Sequence, residues 1–406
     1  MKVLIIEPIA SGHHMALYVR LLVREAYKRK WEISILTSRS SINDPSFKLV
    51  QRECDNKIKL HLMNDVNISN KINVFSLFIN QFRYYKSVRD TFKKIPMDDM
   101  PDYIYVINLD HFDKVLPFLP SIFGVNKFSG MMMTIKFHRK KMGLGSPSRS
   151  DILYEKLFLK LLRNKKLDRV MVIDEPFMKY SKSHENKEYS KICFVPDVGE
   201  LQGVASQTNA KYFFGIPDKN YVLTVYGHMA EKKGIKSIIS AFKNLSIKNI
   251  TILLAGYQDN YTRELIQSAD AQDLINSSQL IVSSGFQSDL QEYNAFKSSD
   301  CIWIGYIGSH FGSSGVLYQS ASLGLPVLGC NSGLIGWLIK RHDIGIVFNP
   351  EDIFECTEAI ERMLTDKLLY RKYSKNMRQL SIDHTARKFG EAICDQIESC
   401  YYGTNE

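Results

Sequence analysis

Short apolar runs alternate along the chain with longer amphipathic segments of helical periodicity. In the first half, the apolar runs predict strands at residues 2–9, 32–37, 57–62, 102–108, 131–137, 169–173 and 191–195. In the second half, they predict strands at residues 221–226, 249–255, 279–283, 301–304, 326–329 and 345–348. Continuous apolar strands joined by helix-length crossovers are typical of parallel sheets covered by helices on both faces. Because the pattern occurs twice, the sequence predicts an α/β protein with two doubly wound, Rossmann-like domains.

The boundary between the two halves is predicted from a polar stretch at residues 199–209, which has neither a strand nor a helix period. We therefore expect a first domain at residues 1–205, a second at residues 206–384 and a helical C-terminal segment at residues 385–406. Ligands of open parallel sheets bind beyond the carboxyl ends of the strands. Two such domains facing each other across a cleft suit an enzyme that joins two different molecules.

The charge of the chain changes this picture because it is uneven. The formal net charge is +10, with +12 in residues 1–205 and −2 in the remainder. Such an excess can serve nucleic acid, anionic lipid or a phosphorylated substrate, but we find no nucleic-acid-binding module and expect no nucleic-acid partner. No run of about 18 apolar residues occurs, which excludes a membrane-spanning helix. Seven scattered cysteines without a Cys-x-x-Cys pair indicate buried thiols in a reducing cytoplasm.

Three glycine-containing loops carry candidate chemistry, and the first follows the first predicted strand. It reads Pro-Ile-Ala-Ser-Gly-His-His at residues 8–14 and opens the first predicted helix. Gly12 permits a tight turn or the close approach of a ligand, and the helix N-terminus offers N–H groups to an anion. His13 and His14 are candidate catalytic groups; a simple serine N-cap at Ser11 with two surface histidines is the alternative. The loop lacks the Gly-x-Gly-x-x-Gly pattern, so we expect no nicotinamide or flavin cofactor.

The second loop follows the strand predicted at residues 221–226. Gly227 permits backbone conformations that other residues disfavour, His228 and Lys233 supply hydrogen-bond donors, and Gly234 begins a helix. A diphosphate is bound by this combination of cation and backbone N–H groups. A loop with solvated lysines is the alternative interpretation.

The third loop contains small side chains and leads into another helix. Ser313, Ser314 and Gly315 offer hydroxyl and N–H groups to phosphate oxygens, and Gln319 lies one turn further on, where it can meet a sugar hydroxyl. A serine cap without a ligand explains the same residues.

The second and third loops together resemble the donor half of a GT-B glycosyltransferase, of family 4 (group 1) in particular. The resemblance is carried by Gly227, Lys233 and Gly234, by Phe311 and Gly312, and by residues 252–256, 285–290, 299–303 and 324–328. It implies that the second domain binds a nucleotide-sugar, UDP- or GDP-linked, as co-substrate. It further implies that the first domain binds the acceptor and that the last helix crosses back to the first domain.

The resemblance also implies roles for single residues. Lys233 neutralises the donor diphosphate, His228 stands where the family usually has arginine, and Gly285 and Phe286 form the loop around the base. Gln319 stands at the second glutamate of the family's Glu-x7-Glu motif. This motif is degenerate here, because Ser309 or Phe311 occupies the place of the first glutamate.

On the acceptor side, His138 follows a predicted strand. It matches a histidine that family members place beside the donor sugar, which implies hydrogen bonding or help with charge separation rather than metal binding. His13 or His14 can share that work, and Asp110 with His111 is a weaker candidate pair. No Asp-x-Asp motif is placed to bridge a diphosphate, so we expect no metal.

Residues 136–169 contain eleven Lys or Arg residues against three acidic ones. Basic residues near an anionic leaflet add roughly 1 kcal/mol each to binding, so we expect peripheral contact with the inner face of a membrane. A solvated charged surface is the alternative.

The sequence therefore predicts a glycosyltransferase that moves a sugar from a nucleoside-diphosphate sugar to a glycan or lipid-linked acceptor. We expect it to be retaining and metal-independent, and to act in polysaccharide or glycoconjugate synthesis. Two alternatives stay open. One is a catalytically silent GT-B subunit that binds a glycan or stabilises a partner; the other is a sugar-nucleotide epimerase.

Overall fold

The computed structural model describes residues 1–9, 14–68, 74–119, 121–124, 126–145, 148, 150–184, 186–308 and 312–403. The chain divides into two compact units, Met1–Pro196 with Ala386–Glu406, and Asp197–Thr385. Each unit is built on one parallel sheet, so each is described by itself.

The first unit contains a seven-stranded sheet. Its strands are β1 (Lys2–Ile6), β2 (Glu32–Ser38), β3 (Lys59–Met63), β4 (Tyr103–Val106), β5 (Phe128–Met132), β6 (Leu167–Val172) and β7 (Ile192–Phe194). Their order is β3-β2-β1-β4-β5-β6-β7, all parallel. The direction of strand order reverses between β1 and β4, which makes the carboxyl ends of these two strands the expected ligand position.

The helices of this part are α1 (Arg20–Lys28), α2 (Pro45–Arg52), α3 (Val74–Phe92), α4 (Asp151–Leu162) and α5 (Glu175–Ser183). A π-helical turn at His14–Val19 precedes α1, and short helical turns lie at Ser40–Asn43, Met97–Asp99, Leu109–His111, Lys140–Met142 and Lys187–Lys191. Apolar side chains of α3, α4 and α5 form one continuous core with β1, β4, β5 and β6. These helices therefore cover one face of the sheet.

The second unit contains a six-stranded sheet. Its strands are β8 (Tyr221–Tyr226), β9 (Ile250–Gly256), β10 (Leu280–Ser284), β11 (Cys301–Ile304), β12 (Val327–Cys330) and β13 (Gly345–Phe348). They are parallel in the order β10-β9-β8-β11-β12-β13, which reverses between β8 and β11. Its helices are α6 (Gln207–Phe213), α7 (Ile235–Phe242), α8 (Asn260–Ile266), α9 (Ala269–Asn276), α10 (Asp289–Ser298), α11 (Gly315–Leu323), α12 (Gly333–His342), α13 (Ile353–Thr365) and α14 (Lys367–Asp383).

Both faces of the second sheet are buried, as the apolar strands predict. Cys301 and Trp303 of β11 pack with α7 and α13, whereas Ile302 and Ile304 pack with α11 and α12. Successive side chains of a strand point to opposite faces, so a strand between two helical layers must be apolar at every position.

The last helix, α15 (Ala386–Tyr402), packs against α1 within the first unit. Phe389 stacks on Tyr18 with ring centroids 5.0 Å apart. Arg29 donates to Asp395 at 2.7 Å and to Glu398 at 2.8 Å. No helix among the described residues is long and apolar enough to cross a membrane.

Candidate active site

The loop after β8 brings Lys233 over the end of its own strand. Gly227 has φ 96° and Gly234 has φ 66°, in the region that favours glycine. A Cβ added at Gly234 would lie 2.5 Å from the Gly305 carbonyl oxygen, so the loop also packs tightly against the segment after β11. The two glycines therefore fix the position from which Lys233 reaches back.

The Lys233 ammonium is largely buried beside the ends of β8 and β11. Its Nζ donates to the Tyr226 carbonyl at 2.8 Å and to the Tyr306 hydroxyl at 3.2 Å. A Cβ added at Gly227 would lie 3.8 Å from this nitrogen. An ammonium has three N–H donors, so within the described part of the chain one donor is left for a ligand.

The N-terminus of α11 is the second part of the same site. Ser314 occupies its N-cap position without a side-chain cap bond, and its hydroxyl instead lies 2.9 Å from the Tyr306 hydroxyl. Gly315 begins the helix, and the Leu317 N–H donates to the Ser314 carbonyl at 2.9 Å. Within the described part of the chain this leaves the N–H groups of Gly315 and Val316 for an anion. Tyr306 joins Lys233 to Ser314; we define these three residues with Gly227 as the Lys233 cluster.

Two predicted donor residues are held by acidic partners that the sequence did not point to. The Ser313 hydroxyl donates to Asp197 at 2.5 Å. The Gln319 amide donates to Glu292 at 2.8 Å. Burial and the nearby Glu292 carboxylate raise the pKa of Tyr226 well above its ordinary value. The Glu292 carboxylate of α10 thus lies beside the uncharged side chain of Gln319.

The remaining donor predictions form a second group around the end of β9. His228 is exposed, and its ring lies 5.4 Å from that of Tyr257. Tyr257 and Gly285 line one cavity of about 540 Å³. Phe286 next to it is 85% exposed, so its ring is available to a ligand. No side-chain hydrogen bond or ion pair joins this group to Lys233 among the described residues.

In the first unit, the carboxyl ends of β1 and β4 carry a carboxylate between two histidines. Glu7 is fully buried, and its oxygens lie 3.7 Å from Nδ1 of His14 and 4.0 Å from Nε2 of His111. Burial raises the pKa of Glu7 to about 8, and burial followed by the nearby His14 lowers the pKa of His111 to about 4. The sequence pointed to His14 and His111, whereas Glu7 lies within the strand predicted at residues 2–9 and had no signal of its own.

His138 lies in the interior of the first unit. It has no exposed surface, its Nε2 is 3.5 Å from Asp174 Oδ1, and the ring of Phe177 is 5.1 Å from its own. Contact with a ligand would require the surrounding rings to move, so its catalytic role stays a prediction. Gly12 and His13 lie outside the described residues, as do Ser309 and Phe311.

The basic residues of α4 lie on one surface with exposed aromatic rings. A groove of about 800 Å³ is lined by Lys156, Lys160, Arg163 and Lys166, and a neighbouring groove of about 560 Å³ by Phe82, Arg83, Lys86 and Phe118. Leu119 lines both, and Lys160 Nζ lies 4.0 Å from the centre of the Phe118 ring. None of the described residues lining the two grooves is acidic. We call these two grooves the α3–α4 surface.

No group of three or more His, Cys, Asp or Glu side chains in the described ranges is arranged to hold a metal ion. Metal independence of the reaction stays a prediction. The seven cysteines form no disulfide.

Residues 206–380, which include the whole Lys233 cluster, match the model of the family described as glycosyl transferases group 1. The predicted resemblance to group 1 is therefore confirmed for this part of the chain, whereas the finer assignment to family 4 with its Glu-x7-Glu motif stays a prediction. A sequence comparison with curated proteins gives no match.

Solved structures show the same fold over the whole chain. Sucrose-phosphate synthase from Thermosynechococcus elongatus is 15% identical, with a TM-score of 0.68 over 100% of this chain and 99% of that chain. Anabaena HepE, solved with UDP-glucose, is 14% identical, with a TM-score of 0.66 over 98% and 100%. A putative UDP-N-acetylglucosamine 2-epimerase from Listeria monocytogenes is 11% identical, with a TM-score of 0.63 over 99% and 97%. The predicted fold class, GT-B with two Rossmann-like parallel sheets, is confirmed.

Proposed function

We propose that this protein is a glycosyltransferase that uses a nucleoside-diphosphate sugar, UDP-linked in the first instance. The observation that carries the proposal is the Lys233 cluster, where a buried ammonium and an uncapped helix N-terminus meet at the strand-order reversal of the second sheet. Both groups stabilise negative charge. The family match of the same residues and the UDP-glucose complex of HepE support this donor class.

The proposed reaction exchanges one bond at the anomeric carbon of the donor. The bond from that carbon to the diphosphate oxygen breaks, and a bond to an acceptor hydroxyl oxygen forms. The hydroxyl oxygen attacks from the face that the diphosphate leaves, and its proton goes to the departing diphosphate. The reaction therefore balances without a side-chain base and retains the anomeric configuration. Lys233 and the N–H groups of α11 would stabilise the charge that develops on the leaving diphosphate.

Replacing Lys233 by methionine tests the diphosphate site. Lys233→Met keeps most of the buried volume but removes a charge-assisted contact worth about 1.5–3 kcal/mol, so UDP affinity should fall at least about tenfold. Lys232→Met is the matched control, because the neighbouring Lys232 is exposed and should leave affinity unchanged. Isothermal titration with UDP and GDP measures both; equal affinity in the two variants would reject the site.

Incubation with labelled UDP- and GDP-sugars separates the proposal from its alternatives. Sugar transfer, or slow donor hydrolysis without an acceptor, supports the transferase. Interconversion of the donor without an acceptor indicates an epimerase. A putative epimerase is among the solved structures that share the fold of this protein. Absence of turnover together with absence of nucleotide binding indicates a catalytically silent subunit.

The proposed acceptor is a glycan or a lipid-linked glycan, and the α3–α4 surface supports the second of these. Its lysines and arginines attract anionic headgroups, while Phe82 and Phe118 are 48% and 59% exposed and can enter the interface. Arg163 is partly neutralised by Glu188, at 2.9 Å. Membrane association is therefore proposed through this surface, of which α4 lies within residues 136–169.

Charge neutralisation on this surface tests the membrane proposal. Replacing Lys156, Lys160 and Lys166 by glutamine should weaken binding to vesicles of 30% phosphatidylserine by more than about tenfold at low salt. The control variant has glutamine in place of the exposed Lys219, Lys236 and Lys375 of the second unit, so it loses the same three positive charges. Equal binding of both triple variants in a sedimentation assay would reject the membrane surface and leave the transferase proposal intact.

A further inference from the structure

A cavity of about 250 Å³ lies inside the first unit, between α3, α4 and the segments that follow β4 and β5. Leu77, Phe137, Tyr154 and Phe158 form apolar and aromatic walls, and Asp110 is among its polar lining residues. Small-molecule sites typically combine such walls with a few polar groups and measure about 300–1,000 Å³ for drug-sized ligands. This cavity is therefore sized for one small ring rather than for an oligosaccharide.

Most polar groups of the cavity already hold one another in place. The Gln81 amide donates to the Asp110 carbonyl at 2.7 Å and to Asp113 Oδ1 at 2.7 Å, and it accepts from the Lys114 N–H at 2.8 Å. Asp113 also forms an ion pair with the Lys114 ammonium. These bonds fix the backbone that presents Asp110 but leave little capacity for a ligand.

The Asp110 side chain differs from its neighbours because one oxygen is left over. Its Oδ1 is buried and has no hydrogen-bond partner in the described part of the chain. Burial and the nearby Asp113 raise the pKa of Asp110 to about 7, although the Thr134 hydroxyl and the Met133 backbone act in the opposite direction. A buried acceptor without a donor costs about 1–3 kcal/mol, which a ligand hydroxyl or ammonium group would recover.

We propose that this cavity binds one sugar ring of the acceptor, with a C–H face against Tyr154 and Phe158 and a ring hydroxyl or amino group donating to Asp110 Oδ1, which a rotation of the Asp110 side chain brings into the cavity. A sugar ring has the required combination of a polar edge and an apolar face. The acceptor role rests on the proposed function, whereas binding of the sugar does not. Asp110 is a positioning residue here, since the transfer reaction above needs no side-chain base.

Saturation-transfer NMR on the full chain without a donor tests the binding. The probes are millimolar methyl glycosides of common hexoses, N-acetylhexosamines and hexosamines, which separate a hydroxyl donor from an ammonium donor. The wild type should bind at least one of these glycosides. Asp110→Ala should weaken that binding by about tenfold or more, whereas Asp98→Ala, on an exposed turn, should not change it.

A second pair of variants keeps the test valid if Asp110→Ala does not fold. Leu77→Trp fills the cavity from the partly exposed side of α3, whereas Phe75→Trp enlarges an exposed residue that does not line it. Only the first should abolish glycoside binding, and neither should alter the affinity for UDP. A wild type that binds no glycoside, or a Leu77→Trp variant that binds as the wild type does, overturns the proposal. Loss of UDP binding in every form would instead reject the donor site and leave the sugar cavity standing.

Discussion

At the scale of single residues, the structure places ionisable groups where burial changes their protonation. Glu7 is the clearest case, because it follows β1 in the interior and, among the described residues, accepts one backbone hydrogen bond that lowers its pKa, from Ile9 at 3.1 Å. The pKa near 8 means that the folded protein keeps a proton which the unfolded chain loses near its ordinary value of 4.5. The contribution of Glu7 to the free energy of unfolding is therefore fully present below pH 4.5 and is lost as the pH rises from 4.5 to 8.

Glu7→Gln should remove this pH dependence. The variant keeps the shape of the side chain but carries no charge, so its unfolding free energy should exceed that of the wild type by a few kcal/mol at pH 8.5 (about 1.4 kcal/mol for each unit of pKa difference). The gain should shrink towards pH 5. Urea denaturation at three pH values measures it, with the exposed Glu32→Gln as control. A difference that does not change with pH would contradict the assignment.

At the scale of elements, the predicted start of every strand except β5 lies within two residues of the observed start, and β5 is the strand that contains both a buried serine and a glycine. β5 was expected at residues 131–137 and lies at Phe128–Met132. Ser129 is buried there because its hydroxyl lies 2.6 Å from the Tyr103 hydroxyl. A Cβ at Gly130 would lie 2.6 Å from Leu109, so glycine is needed for close packing rather than for a turn. Such tertiary contacts are invisible in local periodicity.

The same limit explains which site residues the sequence reached. Lys233 and Ser314 lie in loops with recognisable glycines, and the structure brings them together. Tyr306, Asp197 and Glu292 have no local signal, because each acts through a partner distant in sequence. Position alone offered a hint for Tyr306, which follows β11 at the reversal of strand order.

Loop geometry at the end of β9 gives the prediction at this scale. Gly256 has φ 140°, and a Cβ there would lie 2.0 Å from the Gly227 carbonyl oxygen. Gly256→Ala should therefore displace the loop that holds Lys233, destabilise the protein by roughly 2–4 kcal/mol and weaken UDP binding. Gly215→Ala is the control: Gly215 also has positive φ (68°) but open space around it, so about 1 kcal/mol of strain is expected. Thermal melting measures the stability of the two variants, and titration measures their affinity for UDP. Equal losses of stability and of UDP affinity in the two variants would contradict the steric argument.

At the scale of the whole molecule, one unit is formed by a single segment and the other by two. The strand order of both sheets follows from right-handed crossovers and was predictable as a class. The inclusion of α15 in the first unit depends instead on specific contacts, of which Phe389 on Tyr18 and Arg29 on Asp395 and Glu398 are the clearest.

Truncation of the buried Phe389 tests how strongly the first unit depends on α15. Phe389→Ala should cost about 3–5 kcal/mol, as for other buried aromatic residues. Hydrogen exchange should then rise in β1 and α1 and stay unchanged in β8–β13. Arg387→Ala on the exposed side of α15 removes only an i,i+4 pair with Glu391, worth about 0.5 kcal/mol or less. Faster hydrogen exchange in the second unit, or an unchanged exchange rate in the first unit, would contradict this dependence.

The return of the chain to its first unit also sets an order for folding during translation. As the polypeptide leaves the ribosome, residues 1–196 appear first but lack α15 until nearly 190 further residues have been made. The unit at Asp197–Thr385 is continuous and has all its strands earlier than that. The domain encoded second is thus the one that can finish folding first, while the earlier one waits for its closing helix with part of α1 uncovered.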